Sequence, residues 1–278
     1  MRAETFPTPG AVELDLKLAA GEIRVEAVAG LAETTVELAP LHGEAAERLV
    51  EEARVELRTG RDGAAEVIVD VPEARRLGVF RGGEEIRLTV RCPERARLHV
   101  RAASAEIRAR GLLGAAEIES ASGDVEVEEV EGAVRAKGAS ADLTFGSIGG
   151  GRLEAASGDV EVRRITGEAR IRTASGDVRI ETAETSLEVQ TASGDQEIDE
   201  VVSGRVALKA MSGDVRVGVR RGAGVWVDAS SMSGETSSEL DLGEDPGDAD
   251  GPTVELEART MSGDVRIVRA GARGELPA

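Results

Sequence analysis

The chain has no tyrosine, one tryptophan, three phenylalanines, two histidines and one cysteine among 278 residues. Each scarcity removes a class of function. Nucleic acids and extended sugars are held largely on aromatic platforms, and a net charge of −19, from 53 acidic against 34 basic residues, repels phosphate as well. No nucleic-acid partner is expected. Lone Cys92 permits no internal disulfide, and 278 residues suffice to bury a core without one. Long apolar runs are missing too. No stretch approaches the roughly 18 residues of a membrane-crossing helix, and the opening MRAETFPTPG lacks the apolar run of a signal peptide. No membrane insertion is expected. As written the chain reads as cytoplasmic, although the cysteine count leaves the compartment open.

Apolar residues still make up 41%, with Val abundant and 34 glycines, which fits a folded chain rich in strands and turns. A repeat organises it. Ser-Gly-Asp stands at Ser122-Gly123-Asp124, Ser157-Gly158-Asp159, Ser175-Gly176-Asp177, Ser193-Gly194-Asp195, Ser212-Gly213-Asp214 and Ser262-Gly263-Asp264. Related copies begin at Ser104, Ser140 and Ser233, and most successive starts are 17 to 19 residues apart. Within one copy, ASGDVEVEEVEGAVRAK, the apolar Val125, Val127, Val130, Val134 and Ala136 alternate with charges. Period two means strands with one buried face. The β-branched content and the recurring glycines exclude helical repeats, and the period is less than half that of a propeller blade, roughly 40 residues. The predicted fold is therefore all-β: a single-stranded β-solenoid with about 18 residues and about three short faces per coil. Its coils would be stabilised by stacking, at roughly 1.5–3 kcal/mol per fully buried aliphatic side chain.

Residues 1–100 break the period. AVELDLKL and AGEIRV alternate like degenerate copies, whereas HGEAAERLVEEARVEL places Ala46, Leu49, Val50 and Ala53 at helical spacing, predicting a short helix near 43–54. We read 1–100 as a β-rich head capping the first coil, with a loop around Gly78, Gly82 and Gly83. Residues 101–270 form the solenoid, with the final strand, 264–268, at an edge that could be open. An acidic loop, 239–251, is inserted at one corner, and 271–278 are a short polar tail.

Stacking would align the repeated aspartates in a column. A Ca²⁺ ladder would relieve their repulsion, but the calcium β-roll needs Gly-Gly-x-Gly-x-Asp, which this chain never writes. The Ser-Gly-Asp triplets are assigned instead as structural turns, glycine supplying the backbone conformation and Ser and Asp bonding to nearby N–H groups. No Ca²⁺ or other cofactor is expected. His42, His99 and Cys92 are too few and too scattered to predict a catalytic or metal site, so no catalytic residue is assigned. Trp226, in VGVRRGAGVWVDA, reads as an inward or half-buried residue. Glu126, Glu128, Arg163, Arg164, Arg172, Arg179, Glu181 and Glu188 read as a solvated charged face.

Repeated ASGDVEV, ASGDVRI and MSGDVRV, preceded by GAVELDLKLAAGEIRV and EEIRLTVRCPERARLHVRAASAEIRA, resemble the bacterial putative-adhesin family, a domain of unknown function with SGDV-type repeats. The resemblance covers about the whole chain. It implies a right-handed coil and an adhesive or cell-envelope role, so a cell-surface location, and it carries no catalytic residues. The expected function is a non-enzymatic scaffold for a protein partner or self-association. The alternative is a carbohydrate-active or calcium-binding surface module.

Overall fold

The computed structural model describes residues 1–43, 45–60, 63–72, 84–240 and 253–271. The loop around Gly78, Gly82 and Gly83, the acidic loop beyond Leu240 and the tail beyond Gly271 lie outside the described residues. Contacts divide the chain into two compact units, Met1–Thr144 and Phe145–Ala278.

In the first unit the strands are β1 (Arg2–Pro7), β2 (Val12–Leu18), β3 (Gly21–Val28) and β4 (Glu33–His42), followed by helix α1 (Ala46–Glu52). After it come β5 (Arg54–Thr59), β6 (Ala65–Asp70), β7 (Glu85–Pro93), β8 (Arg97–Ala102), β9 (Glu106–Leu113), β10 (Ala115–Ser120), β11 (Val125–Val130) and β12 (Val134–Gly138). They lie in two sheets, in the order β1-β4-β7-β3-β9-β11 and β5-β6-β2-β8-β10-β12. Pairing is parallel except at the outer edges, where β1 on β4, β4 on β7 and β5 on β6 are antiparallel. β2 shows why these segments are strands: Val12, Leu14, Leu16 and Leu18 are buried while Glu13, Asp15 and Lys17 between them are not.

α1 forms because Ala46, Leu49 and Val50 present one apolar face, which packs against β4 and β7. It has no basic residue in its last turn. The Arg2 guanidinium takes that role from β1, donating to the carbonyls of Val50, Glu51 and Ala53.

β13 (Leu143–Ile148) carries the boundary between the units. In the second unit follow β14 (Gly151–Ser157), β15 (Val160–Ile165), β16 (Ala169–Ser175), β17 (Val178–Ala183), β18 (Leu187–Ser193) and β19 (Gln196–Val201). Then come β20 (Gly204–Ser212), β21 (Val215–Val219), β22 (Gly224–Ser233), β23 (Thr236–Ser238), β24 (Thr253–Ser262) and β25 (Val265–Arg269). Described pairs here are all parallel, in register copy to copy: Val160 opposite Val178, Val178 opposite Gln196, Gln196 opposite Val215. Inward residues such as Val162, Ile171, Ile180, Val189 and Leu208 are wholly buried.

Two expectations are corrected. The strands collect into two sheets per unit, not three faces, because each repeat contributes one strand to each sheet and only short links, such as 158–159 and 166–168, join them. The rung at the edge is also not the last in the chain. The sheet orders end β20-β24-β22 and β21-β25-β23, so the final strands are enclosed between earlier rungs, and residues 224–238 form the outermost one. The inward positions of the two rungs match in their first strands, Val225 and Val227 opposite Val254 and Leu256, but in the second the outermost rung has Thr236 and Ser238 where the enclosed one has Val265 and Ile267.

Candidate functional site

The repeated aspartates do line one corner. In the second unit each Oδ1 accepts the backbone N–H of its counterpart one rung on: Asp159 from Asp177, Asp177 from Asp195, Asp195 from Asp214 and Asp214 from Asp264, each at 2.8 Å, then Asp264 from Glu235 at 2.9 Å. In the first unit Asp124 accepts from Asp142 at 3.2 Å. The bond therefore runs between rungs, not within one turn. It joins a charged acceptor to a backbone donor, the stronger sort of hydrogen bond. Between the aspartates, Gly176 and Gly194 adopt φ of +143° and +141°, and a Cβ on either would lie 2.1 Å from the carbonyl oxygen of the glycine one rung back. Only glycine lets the corners stack this closely.

Asp195→Ala is expected to cost about 1 kcal/mol in urea denaturation, the contribution of one exposed hydrogen bond. The same transition in the unmodified protein is expected to be unchanged by chelator or added Ca²⁺. A chelator-dependent midpoint would count against the turn assignment.

The outer faces are laced with ion pairs across rungs. Arg179 reaches Glu197 at 2.9 Å, Arg216 reaches the same Glu197 at 2.8 Å, and Arg220 grips Glu200 with two nitrogens. Exposed pairs of this kind are worth about 0–1 kcal/mol each, and they keep a broad strand surface soluble. One differs. Glu22 on β3 is 10% exposed at its side chain and meets Arg24 at 2.6 Å, Arg87 at 2.9 Å and Arg108 at 3.1 Å. Burial alone would raise its pKa, but the bonds from Arg24 and Arg87 outweigh that and hold the carboxyl below its ordinary range.

The three candidates for chemistry occupy separate settings. His42 is exposed at the end of β4, while His99 on β8 sits between Glu13, 3.2 Å from Nε2, and Glu117, 3.5 Å from Nδ1. Cys92 is in the core, and burial pushes its thiol up to about 12. A thiolate is the reactive form, so Cys92 is expected to resist thiol-directed reagents at pH 8 until the protein unfolds. Labelling that outpaces unfolding would contradict this. Among the described residues no group of three or more His, Cys, Asp and Glu side chains is placed to hold a metal ion. No described helix is long and apolar enough to cross a membrane.

Residues passed over in the sequence proved informative. Gln196 takes a position held by Val178 and Val215 in neighbouring rungs, is 1% exposed, and bonds to Thr191 Oγ1 and the Lys209 carbonyl. Trp226, expected inward or half-buried, points outward and is 56% exposed. Its neighbours decide this: Val225 and Val227 pair with the buried Val254 and Leu256, so Trp226 falls opposite the outward Glu255. Met211, Met261 and Met232 stand beside one another on successive rungs, all exposed, where earlier copies have Ala156, Ala174 and Ala192. The signal was legible as ASGD changing to MSGD.

The model of the Toastrack DUF4097 family matches residues 13–268, nearly the whole chain and both sets of stacked strands. The chain belongs to this family. Membership in Toastrack DUF4097 agrees with the resemblance drawn from the SGDV-type repeats. Solved structures are similar at low identity. A putative adhesin from Bacteroides fragilis shares 10% identity with a TM-score of 0.48, covering 96% of each chain. Another from Parabacteroides merdae shares 12% at 0.44, also over 96% of each chain. A putative lipid binding protein from Parabacteroides distasonis shares 14% at 0.43, again with 96% of each chain covered. Among curated proteins none matches.

Proposed function

We propose that this Toastrack chain is a non-enzymatic scaffold that presents strand surfaces for protein interaction or self-association. The observation that carries the reading is the use of its most repeated polar group: the aspartate of each Ser-Gly-Asp bonds to the backbone of the next rung, for example Asp177 with Asp195. The triplets are in this reading structural turns that need no Ca²⁺. Residues 1–100 act as the cap of a right-handed coil of about 18 residues per turn, with the antiparallel β1, β4 and β5 closing that end. Rigid stacked strands with charged outer faces suit binding better than turnover.

Light scattering across a concentration series, run beside a panel of polysaccharide and ester substrates, tests this. Association without turnover is expected. A monomer that hydrolyses or eliminates a polysaccharide would overturn the reading.

A further inference from the structure

We infer that the chain pairs with a second copy of itself, edge to edge, through β22, in an antiparallel arrangement centred on Ala229. The inference rests on the scaffold reading and names the partner.

The outermost position of β22 leaves backbone groups directed off the stack. Val227 is in register with Ala169 through Leu256, Val206 and Leu187. At that position the N–H is directed to the following rung, as Ala169 donates to the Ser186 carbonyl. Alternation along a strand then directs the N–H and C=O of Val225, Val227, Ala229 and Ser231 to the open side, where no described strand follows.

Edge strands usually carry devices against such pairing. At the edges of the first unit β1 has Pro7, Arg2 and Glu4, and β5 has Arg54, Glu56 and Arg58 within six residues. β22 has no proline or lysine, and its single charge, Asp228, is taken up by Arg259 at 2.9 Å. This edge is thus locally neutral in a chain of net charge −19, which would otherwise repel its own copies. It also carries Trp226 and Met232, 56% and 80% exposed.

Self-complementarity selects the second copy over another extended peptide. A two-fold axis through Ala229 places the hydrogen-bonding residues opposite one another, Ala229 facing its counterpart and Val227 facing Ser231. On the outward side it sets Trp226 against Met232, and Asp228 against Ser230. Tryptophan and thioether pack favourably, and cross-strand neighbours of this kind are what stabilise a sheet. Moving the axis to Asp228 would bring two carboxylates together. Moving it to Ser230 would set Asp228 against Met232.

Trp226 is the only tryptophan, so its fluorescence reports this edge alone. In sedimentation equilibrium the full chain is expected to reach twice the monomer mass as concentration rises, with Trp226 emission moving to shorter wavelength over the same range. Ala229→Pro removes one N–H directed off the stack, and Trp226→Lys places a charge against Met232. Each is expected to weaken association by at least about tenfold with unchanged circular dichroism. Adding Met232→Asp to Trp226→Lys is expected to restore it, because the two positions face each other only in this register. A chain that stays monomeric, a dimer indifferent to Ala229→Pro, or a double variant no tighter than Trp226→Lys alone would overturn the pairing. A monomer that binds some other protein would sink the pairing and leave the scaffold reading standing. A dimer that turned over a polysaccharide would do the reverse.

Discussion

Gly176→Ala is expected to lower the stability of the protein by about 3–5 kcal/mol, one of the largest effects of any single methyl group in this chain. Two penalties add. At φ of +143° a residue with a Cβ is strained, and that Cβ would sit 2.1 Å from the carbonyl oxygen of Gly158. The oxygen belongs to backbone and cannot swing away, so two rungs must part at a corner where Gly158 donates to Ser175 and Gly176 to Ser193. Gly222→Ala separates the two contributions. Its φ is +82°, but nothing lies within 4 Å of the added Cβ, so only the backbone cost of about 1–2 kcal/mol is expected. Urea denaturation of both variants checks this through the midpoints, provided the slopes match. Equal losses at the two positions would mean that close stacking at Gly176 does not matter.

Glu22→Gln should cost about 2 kcal/mol at pH 7, because it removes the one carboxylate shared by Arg24, Arg87 and Arg108 and leaves their charges facing one another. The figure is below that of a fully buried pair, since the arginines are 37% to 48% exposed and water screens them. The pH dependence has a definite sign. Glu22 titrates below its ordinary value of 4.5 in the folded state, so its contribution is complete above that value. It is lost as pH falls through the folded pKa. The gap between the unmodified protein and Glu22→Gln is therefore expected to be full at pH 7 and to narrow in acid below the ordinary value. A gap of constant size from pH 7 to pH 3 would show that the charge of Glu22 contributes nothing.

Much of the core was legible because the inward positions repeat every second residue and every copy. Val162, Ile180 and Ile198 could be named from alternation alone, and all are buried. The hydrogen bonding at the corner was not legible. Ser-Gly-Asp announces a turn, yet the partner of Asp177 is the N–H of Asp195, a full repeat away, and local sequence contains nothing that points across that distance. Glu22 was lost for the same reason: in a chain with 53 acidic residues, a carboxylate that gathers three arginines looks like any other until the strands carrying Arg87 and Arg108 lie on either side of it.

Sequence alone determined the alternation of inward and outward residues along most of the repeated strands and to which family the chain belongs, since strand alternation is a local consequence of backbone geometry. Tertiary structure alone decided the order of the rungs. The first strands of the two segments, 224–238 and 253–269, match at their inward positions, Val225 opposite Val254, Val227 opposite Leu256 and Ala229 opposite Ala258, and the pairing against the rung of 204–219 places the later segment inside and the earlier one at the edge. Alternation along β22 turns Trp226 outward, opposite Glu255, but that its strand has no described strand beyond it follows only from which distant rungs pair, and local sequence does not set that.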